Sequence, residues 1–228
     1  MSPARPPSKS RRVPEKNLPR NTSRDPKNEI LKAALKVFAK HSFEGASLQE
    51  IADLAKIGQP LLHYHFGSKE SLWKAAVDYA LDEMKRFFET VEITTVDLEP
   101  IDVVRVLCRS FITFSSRYPE HALILINEMR VPGRRFHWLL EKYLRPIHRR
   151  FDLLLEEAQR RNEIKKIPVV HLTNTIFITL VHFFTIGPML HALYETDPFE
   201  PDTISEHAKY TLQILFEGMT VPRRADQS

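Results

Sequence analysis

The chain has 228 residues, is 43% hydrophobic, contains only six glycines and carries a formal net charge of +4. That length buries a sizeable core as one large or two small domains, and long Gly-free runs of Leu, Ala, Glu, Lys and Arg favour helices over a strand-rich fold cut by frequent turns. The single cysteine, Cys108, excludes an intrachain disulfide and any Cys-based zinc site; in its apolar run it reads as an inert core thiol in a reducing, cytoplasmic setting.

Residues 1–25 hold five prolines and no apolar periodicity, which predicts a disordered tail. No apolar core follows its basic residues, so it does not read as a secretory signal. Residues 1–24 carry seven basic side chains against Glu15 alone, so the remainder of the chain is nearly neutral. Such a tail is either a solvated leader or an arm that adds phosphate contacts to DNA held elsewhere.

Asp25-Pro26 predicts a helix start, with Asp25 as the cap and Pro26 in the first turn. Ile30, Ala34, Val37 and Phe38, with Leu31 and Leu35 beside them, form its apolar stripe as far as about His41-Ser42. Ser47-Leu48-Gln49-Glu50 is a capping box that opens a short helix to about Leu54, with Leu48, Ile51, Ala52 and Ala55 inward. Gly58 breaks it, and Pro60 sits in the first turn of a third helix that turns Leu62 and Phe66 to the core. Ser68 caps a fourth helix running to about Thr90. The tight turn between the second and third helices outlines a helix-turn-helix over about residues 48–67, within a domain of residues 26–85.

Residues 91–100 read as a linker. Residues 86–220 form a second all-helical block, with spans near 101–117, 120–130, 134–160, 168–194 and 202–219 separated by proline-containing breaks; residues 221–228 read as a tail. The fold class is therefore all-α. The stretch from Ile167 to Tyr194 lacks Asp, Glu, Lys and Arg and is long enough to cross a bilayer. Its threonines, Asn174, three histidines and Pro188 favour instead a helix buried by its own bundle and a partner subunit, with no membrane as partner.

The set Ile30-Leu31, Ala33-Ala34, Phe38, Phe43, Gly45, Ser47, Ile51-Ala52, Ala55, Leu62, Tyr64-His65-Phe66, Ser68-Lys69-Glu70 and Leu72 resembles the DNA-binding domain of TetR-family transcriptional regulators. Residues 128–147 also resemble a stretch seen in some members. Two departures stand out. Ser42 holds a place where the family usually has Gly. The turn reads Ala55-Lys56-Ile57-Gly58 where the family usually has Ala-Gly-Val-Ser, which predicts a left-handed backbone at Lys56.

The resemblance implies that the third helix enters the major groove of double-stranded DNA. Gln59 is then a candidate base reader, since its amide both donates and accepts. Pro60 and Leu61 offer apolar contact, His63, Tyr64 and His65 offer hydrogen bonds, and Lys69 and Ser47 reach phosphates. The bland readings are Tyr64 as partial core, His65 as a structural helix-end bond and Ser47 as a cap alone. His63 and His65 diverge by about 200° on a helix, which speaks against a metal site.

The resemblance further implies a homodimer that reads a palindromic operator and is released by a small-molecule effector. Phe177, Leu180, Val181 and Phe184, with Tyr210, Ile214 and Met219, are the expected interface. Phe111, Phe114, Asn127, Met129, Trp138, His182, Phe183 and Met189 are the expected lining of a pocket for an apolar or aromatic effector, with packed core the alternative for each. No Gly-rich phosphate loop, Gly-x-Ser-x-Gly elbow or His-Glu-x-x-His is present, so no cofactor, metal or catalytic centre is nominated. The alternatives left open are an architectural DNA-binding protein without effector and a helical hydrolase built from scattered residues.

Overall fold

Each helix begins where a proline or a small polar residue can start one. The structure, a computed structural model, describes residues 25–95 and 97–221, the side chains of Phe87 and Glu92 excepted. The predicted tail before Asp25 and residues 222–228 lie outside it. Among the described residues all regular structure is helical, apart from one isolated antiparallel bridge between Ile164 and Thr220.

The elements are α1 (Pro26–Gly45), α2 (Leu48–Ala55), α3 (Gln59–Phe66), α4 (Lys69–Thr94), α5 (Pro100–Arg117), α6 (Glu120–Arg130), α7 (Arg134–Leu139), α8 (Arg145–Arg160), α9 (Val169–Thr185), α10 (Gly187–Tyr194) and α11 (Pro201–Met219). A π-turn at Leu140–Leu144 joins α7 to α8, so the predicted span 134–160 is one path with an inserted residue rather than one regular helix. The predicted linker 91–100 is shorter than expected: α4 continues to Thr94, across the expected domain boundary near residue 85.

The predicted caps form at Asp25, Ser47 and Ser68, but the Ser47–Glu50 capping box is only half made, because Glu50 turns to His41 instead of the Ser47 amide. Asp25 Oδ1 accepts from Lys27 N (3.0 Å), and Ser47 Oγ accepts from Gln49 N (3.2 Å) and Glu50 N (3.4 Å). The Glu50 carboxylate points to His41 Nε2 (3.2 Å). Ser68 Oγ accepts from Ser71 N (3.1 Å) at the head of α4.

The core is continuous from α1 to α11. Trp73 and Phe38 sit at its N-terminal end, with Ile112 and Leu155 further along and Ile176 near α11. α1 packs on α2, α4 and α6; α5 packs on α8, α9 and α11.

The span expected at 168–194 is two helices, bent by 69° at Ile186. Pro188 explains the break, since it has no N–H to continue α9. No single described helix is long and apolar enough to cross a membrane. The 17 residues of α9 rise only about 25 Å, against a hydrocarbon core of about 30 Å. Its burial is one-sided: Leu172, Ile176, Leu180 and Phe184 face the core, whereas Val170 and Ile178 are exposed.

The two departures from the family pattern have backbone consequences. Lys56 takes φ 57°, ψ 44° and closes α2 in the left-handed region, as the resemblance implies. Gly58 has an ordinary extended backbone (φ −77°, ψ 142°), so the glycine does not sit where its freedom would be used. Ser42 takes φ 56°, ψ 178° and interrupts α1, which fits the expected helix end at His41-Ser42. That region is almost reserved for glycine and costs roughly 1–3 kcal/mol for other residues; the bond from Ser42 Oγ to His41 O (2.5 Å) offsets part of it. Ser42→Gly is expected to raise the unfolding free energy by about 1 kcal/mol, read as a higher urea midpoint at unchanged slope. A lower midpoint would show that the hydroxyl bond outweighs the strain.

Candidate nucleic-acid interface and ligand cavity

α3 is eight residues long and only Leu62 and Phe66, four apart on one face, are buried. They hold the helix against α2 and α4. The remaining side chains are therefore turned outward by the geometry of a 3.6-residue repeat. Pro60, Leu61, His63, Tyr64 and His65 are exposed and Gln59 is half-buried at the N-terminus. Tyr64 is 83% exposed, which removes its reading as core. Its ring meets that of His65 edge-on, with centroids 5.4 Å apart.

Two expected roles change. The histidine near the helix-end carbonyl is His63, whose Nδ1 lies 3.4 Å from Gly67 O, rather than His65. Lys69 is tethered: its Nζ donates to Glu44 O (3.2 Å) and lies 5.0 Å from the Phe43 ring centre. A phosphate would have to draw it away from that carbonyl. Ser47 is exposed and its hydroxyl already caps α2.

The interior of the second block holds two adjoining hollows. One, of about 60 Å³, lies between α5, α8 and α9 and is lined by Leu107, Cys108, Phe111, Phe151 and Leu180. The other, of about 210 Å³ and partly open to solvent, lies between α6, α8 and α9 and is lined by His121, Leu125, Met129, His148, Asn174 and Val181 among others. Phe88, Phe111, Ile147 and Phe177 line both. Phe177 is the hub of that wall, 5.6 Å from Phe111, 5.1 Å from Phe151 and 4.8 Å from His148 between ring centres. Burial pushes the Cys108 thiol up to about 12, so it is protonated and unreactive at neutral pH.

Of the eight residues expected to line a pocket, Phe111 and Met129 do. The other six lie elsewhere. Phe114 is packed beside Tyr118 and His121. Asn127 Nδ2 donates to Ala39 O of α1 (3.1 Å). Trp138 packs against Trp73 (5.7 Å). Phe183 stacks on His207 (4.1 Å). His182 and Met189 are exposed. The lining as a whole has a helical signature, most of it not expected: 121, 125 and 129 on α6, 144 in the π-turn with 147, 148 and 151 on α8, and 174, 177, 178 and 181 on α9. Each set repeats at three and four residues, but such stripes also describe plain core.

The expected interface is likewise redrawn. Leu180, Phe184 and Met219 are buried in the chain's own core, and Phe177 lines the hollows. Tyr210 (50%) and Ile214 (71%) do face outward on α11; Ile178 (56%) is exposed on α9 at the rim of the larger hollow, and Val181 is half-buried.

Between the two blocks, Arg135 of α7 is the principal clasp. Its Nε donates to Glu128 Oε1 (3.0 Å), its Nη2 donates to Glu44 Oε1 (2.7 Å), and its guanidinium lies 3.8 Å from the Phe43 ring centre. The same guanidinium holds the Glu44 carboxyl below its usual range. Nearby, Asp78 Oδ1 of α4 accepts from Lys142 Nζ (2.7 Å) and Tyr143 Oη (2.5 Å) at the π-turn. Burial and that bond raise the Tyr143 phenol well above its ordinary value.

Residues 30–76 match the model of bacterial regulatory proteins, tetR family. Over those residues the chain is similar to the tetR family. The transcriptional repressor NicS of Pseudomonas putida is 31% identical over 102 residues, which is 45% of this chain and 47% of that protein, so the alignment spans about half of NicS. The transcriptional regulator RutR of Escherichia coli is 24% identical over 85% of this chain and 90% of its own. In fold, the ketosteroid transcriptional regulator KstR2 of Mycobacterium tuberculosis superposes with a TM-score of 0.70 at 18% identity, over 86% of this chain and 95% of that one. The fatty acid degradation regulator FadR of Bacillus halodurans gives 0.63 at 18%, over 87% and 98%. The similarity supports a DNA-binding transcriptional regulator, and the relatives carry regulatory names.

Burial holds the His121 imidazole down at about 4, against an ordinary 6.5. Between those values the unfolded chain binds a proton that the folded chain refuses. His121 therefore contributes stability that is full above pH 6.5 and is lost as the pH falls toward 4. Unfolding free energy is expected to drop by about 1.4 kcal/mol per pH unit from this group in that window. Urea melts at pH 7 and pH 5 on the protein and on His121→Phe check it: the variant should show the shallower fall, and equal slopes would refute the assignment.

Proposed function

We propose that this regulator is a homodimeric repressor that reads a palindromic operator with α3 and leaves it when an apolar or aromatic effector enters the hollows between α5, α6, α8 and α9. The observation that carries the reading is α3 itself: two side chains anchor it, and the rest are offered to solvent. A short helix that keeps Leu61 and Tyr64 exposed beside Gln59 and two histidines is poorly matched to solvent and well matched to a groove, where amides and rings meet base edges and sugars. Residues 26–85 act as the reading head and 86–220 as the effector and dimer block. The printed function of NicS, a repressor, supports the sign of regulation.

Binding by one short helix reads only a half-site, so a two-fold pair is needed. The outward faces of α9 and α11, carrying Ile178, Tyr210 and Ile214, are the apolar area offered for it. Ile214→Arg is expected to yield a monomer in light scattering at micromolar concentration while the chain stays helical. An unchanged dimer would place the interface elsewhere.

The route from effector to DNA runs through α6, which lines the larger hollow with His121, Leu125 and Met129 and touches α1 through Asn127. A ligand that shifts α6 re-aims the head.

Selection from a random duplex library by the full chain, at near-physiological salt, tests the whole reading. A recovered palindrome with half-sites spaced for two successive major grooves is the expected result. Gln59→Ala should then weaken the selected site by roughly tenfold or more, on the scale of about 1–3 kcal/mol for a bidentate base contact, with little change on unrelated DNA. No enrichment from a folded dimer would overturn sequence-specific reading by α3 in the effector-free state.

A further inference from the structure

His121 stands at the start of α6 and is 4% exposed. Its Nδ1 lies 2.5 Å from Tyr118 O. A carbonyl oxygen has no proton to give, so Nδ1 must carry the hydrogen and donate it. In the neutral ring that leaves Nε2 as a bare lone pair. No described protein group reaches Nε2, which is itself buried. A buried acceptor of this kind is costly to leave unmade, and native interiors rarely do so without a reason.

The donors nearest in the lining, His148 and Asn174, do not bond to it. His121 lines the larger hollow, where the Asn174 amide donates to Val170 O (2.6 Å) and the aromatic wall of Phe111 stands 5.8 Å away between ring centres. On its other side lies a small hollow walled by apolar Leu35, Val77 and Leu81. Burial keeps the ring neutral, as the depressed pKa of the same histidine attests. The site therefore presents an unmet acceptor in a largely apolar room that also holds His148 and Asn174.

We propose that the cleft takes a largely apolar ligand carrying a hydroxyl or N–H group, bound with that donor on His121 Nε2. This deepens the effector reading above and rests on it. It also sets a discrimination: molecules that offer only acceptors at that point, such as carboxylates, ethers and bare ketones, meet lone pair against lone pair. A site that holds an unpaired polar group rejects the analogue lacking the complementary one more strongly than an apolar pocket rejects an extra methyl.

The test uses the purified full-length chain and two probes of the same shape, 2-naphthol and 2-methylnaphthalene, titrated by calorimetry. The same titration is followed by ¹⁵N resonances of its histidine rings. The expected result is that 2-naphthol binds about tenfold tighter than the methyl compound, although the latter is the more hydrophobic. One histidine with a protonated Nδ1 should then show its Nε2 resonance moving as a hydrogen bond to it forms. In His121→Phe the preference should shrink to about twofold or less. Should that variant fail to fold, the Nε2 resonance of the unaltered protein decides alone. Equal or reversed affinities, or 2-naphthol binding with Nε2 unmoved, would overturn the assignment to His121 while leaving the cleft as a binding site. Failure of both probes to bind would overturn the cleft reading as well.

Discussion

The contact of α6 with α1 joins the two parts of the molecule. Helix α6 is at once a wall of the larger hollow and the surface on which the first helix of the reading head lies. Its C-terminal turn is fixed by two polar links. Asn127 reaches the Ala39 carbonyl, and Glu128, only 5% exposed, is held by Arg135, which also grips Glu44 and covers Phe43. A carboxylate as buried as Glu128 costs several kcal/mol to leave unpaired. The clasp therefore resists small independent movements of α6 and α1. A displacement of α6 either carries the head with it or breaks the pair, and a contact with two such outcomes can act as a switch where a soft one would absorb the motion.

The hollows sit where such a displacement could begin. Their common wall is aromatic, with Phe177 of α9 against Phe111 of α5 and Phe151 of α8. The π-turn at Leu140–Leu144 advances the register of α8 by one residue and brings Leu144, Ile147 and His148 to the same cleft. A regular helix through that point would rotate those side chains by about 100°. The same turn carries Tyr143 and Lys142 onto Asp78 of α4, so cleft and head share this anchor too.

The N-terminal half could be read from its sequence because its signals are local. A cap at Asp25, a cap at Ser47, Pro60 in a first turn and Leu62 with Phe66 at a spacing of four each involve a few neighbouring residues, and each forms as read. The positive φ at Lys56, in contrast, followed only from the resemblance, whose usual turn has Gly at that place. The second half was read correctly as helices and poorly as a site. Whether Phe183 lines a cavity or stacks on His207 depends on where α11 crosses α9, and nothing within either helix encodes that crossing. His121 was passed over for the same reason: its meaning lies in a carbonyl three residues back and in helices far along the chain. Lys69 erred in the other direction. Its position suggested a free cation, but the end of α1 supplies a carbonyl that only the folded chain brings near.

The charge-free stretch around α9 shows how polar groups can serve an apolar helix. Asn174 Nδ2 donates to Val170 O (2.6 Å), Thr179 Oγ1 to Thr175 O (2.6 Å) and Thr185 Oγ1 to His182 O (2.8 Å), while Thr173 Oγ1 donates to Asp152 of α8 (2.5 Å). Three of these four bonds return to the helix's own backbone, so the side chains satisfy themselves without charges or water. They leave an outer surface on which Val170 and Ile178 alternate with short, internally bonded side chains. Such a surface loses little when water is removed from it, because the polar groups it buries keep their partners. Desolvating lysines or glutamates there would cost far more. The absence of charge from Ile167 to Tyr194 thus suits a face made to be covered by protein, and the 69° bend at Ile186 divides it into two lengths, each too short to be a membrane span.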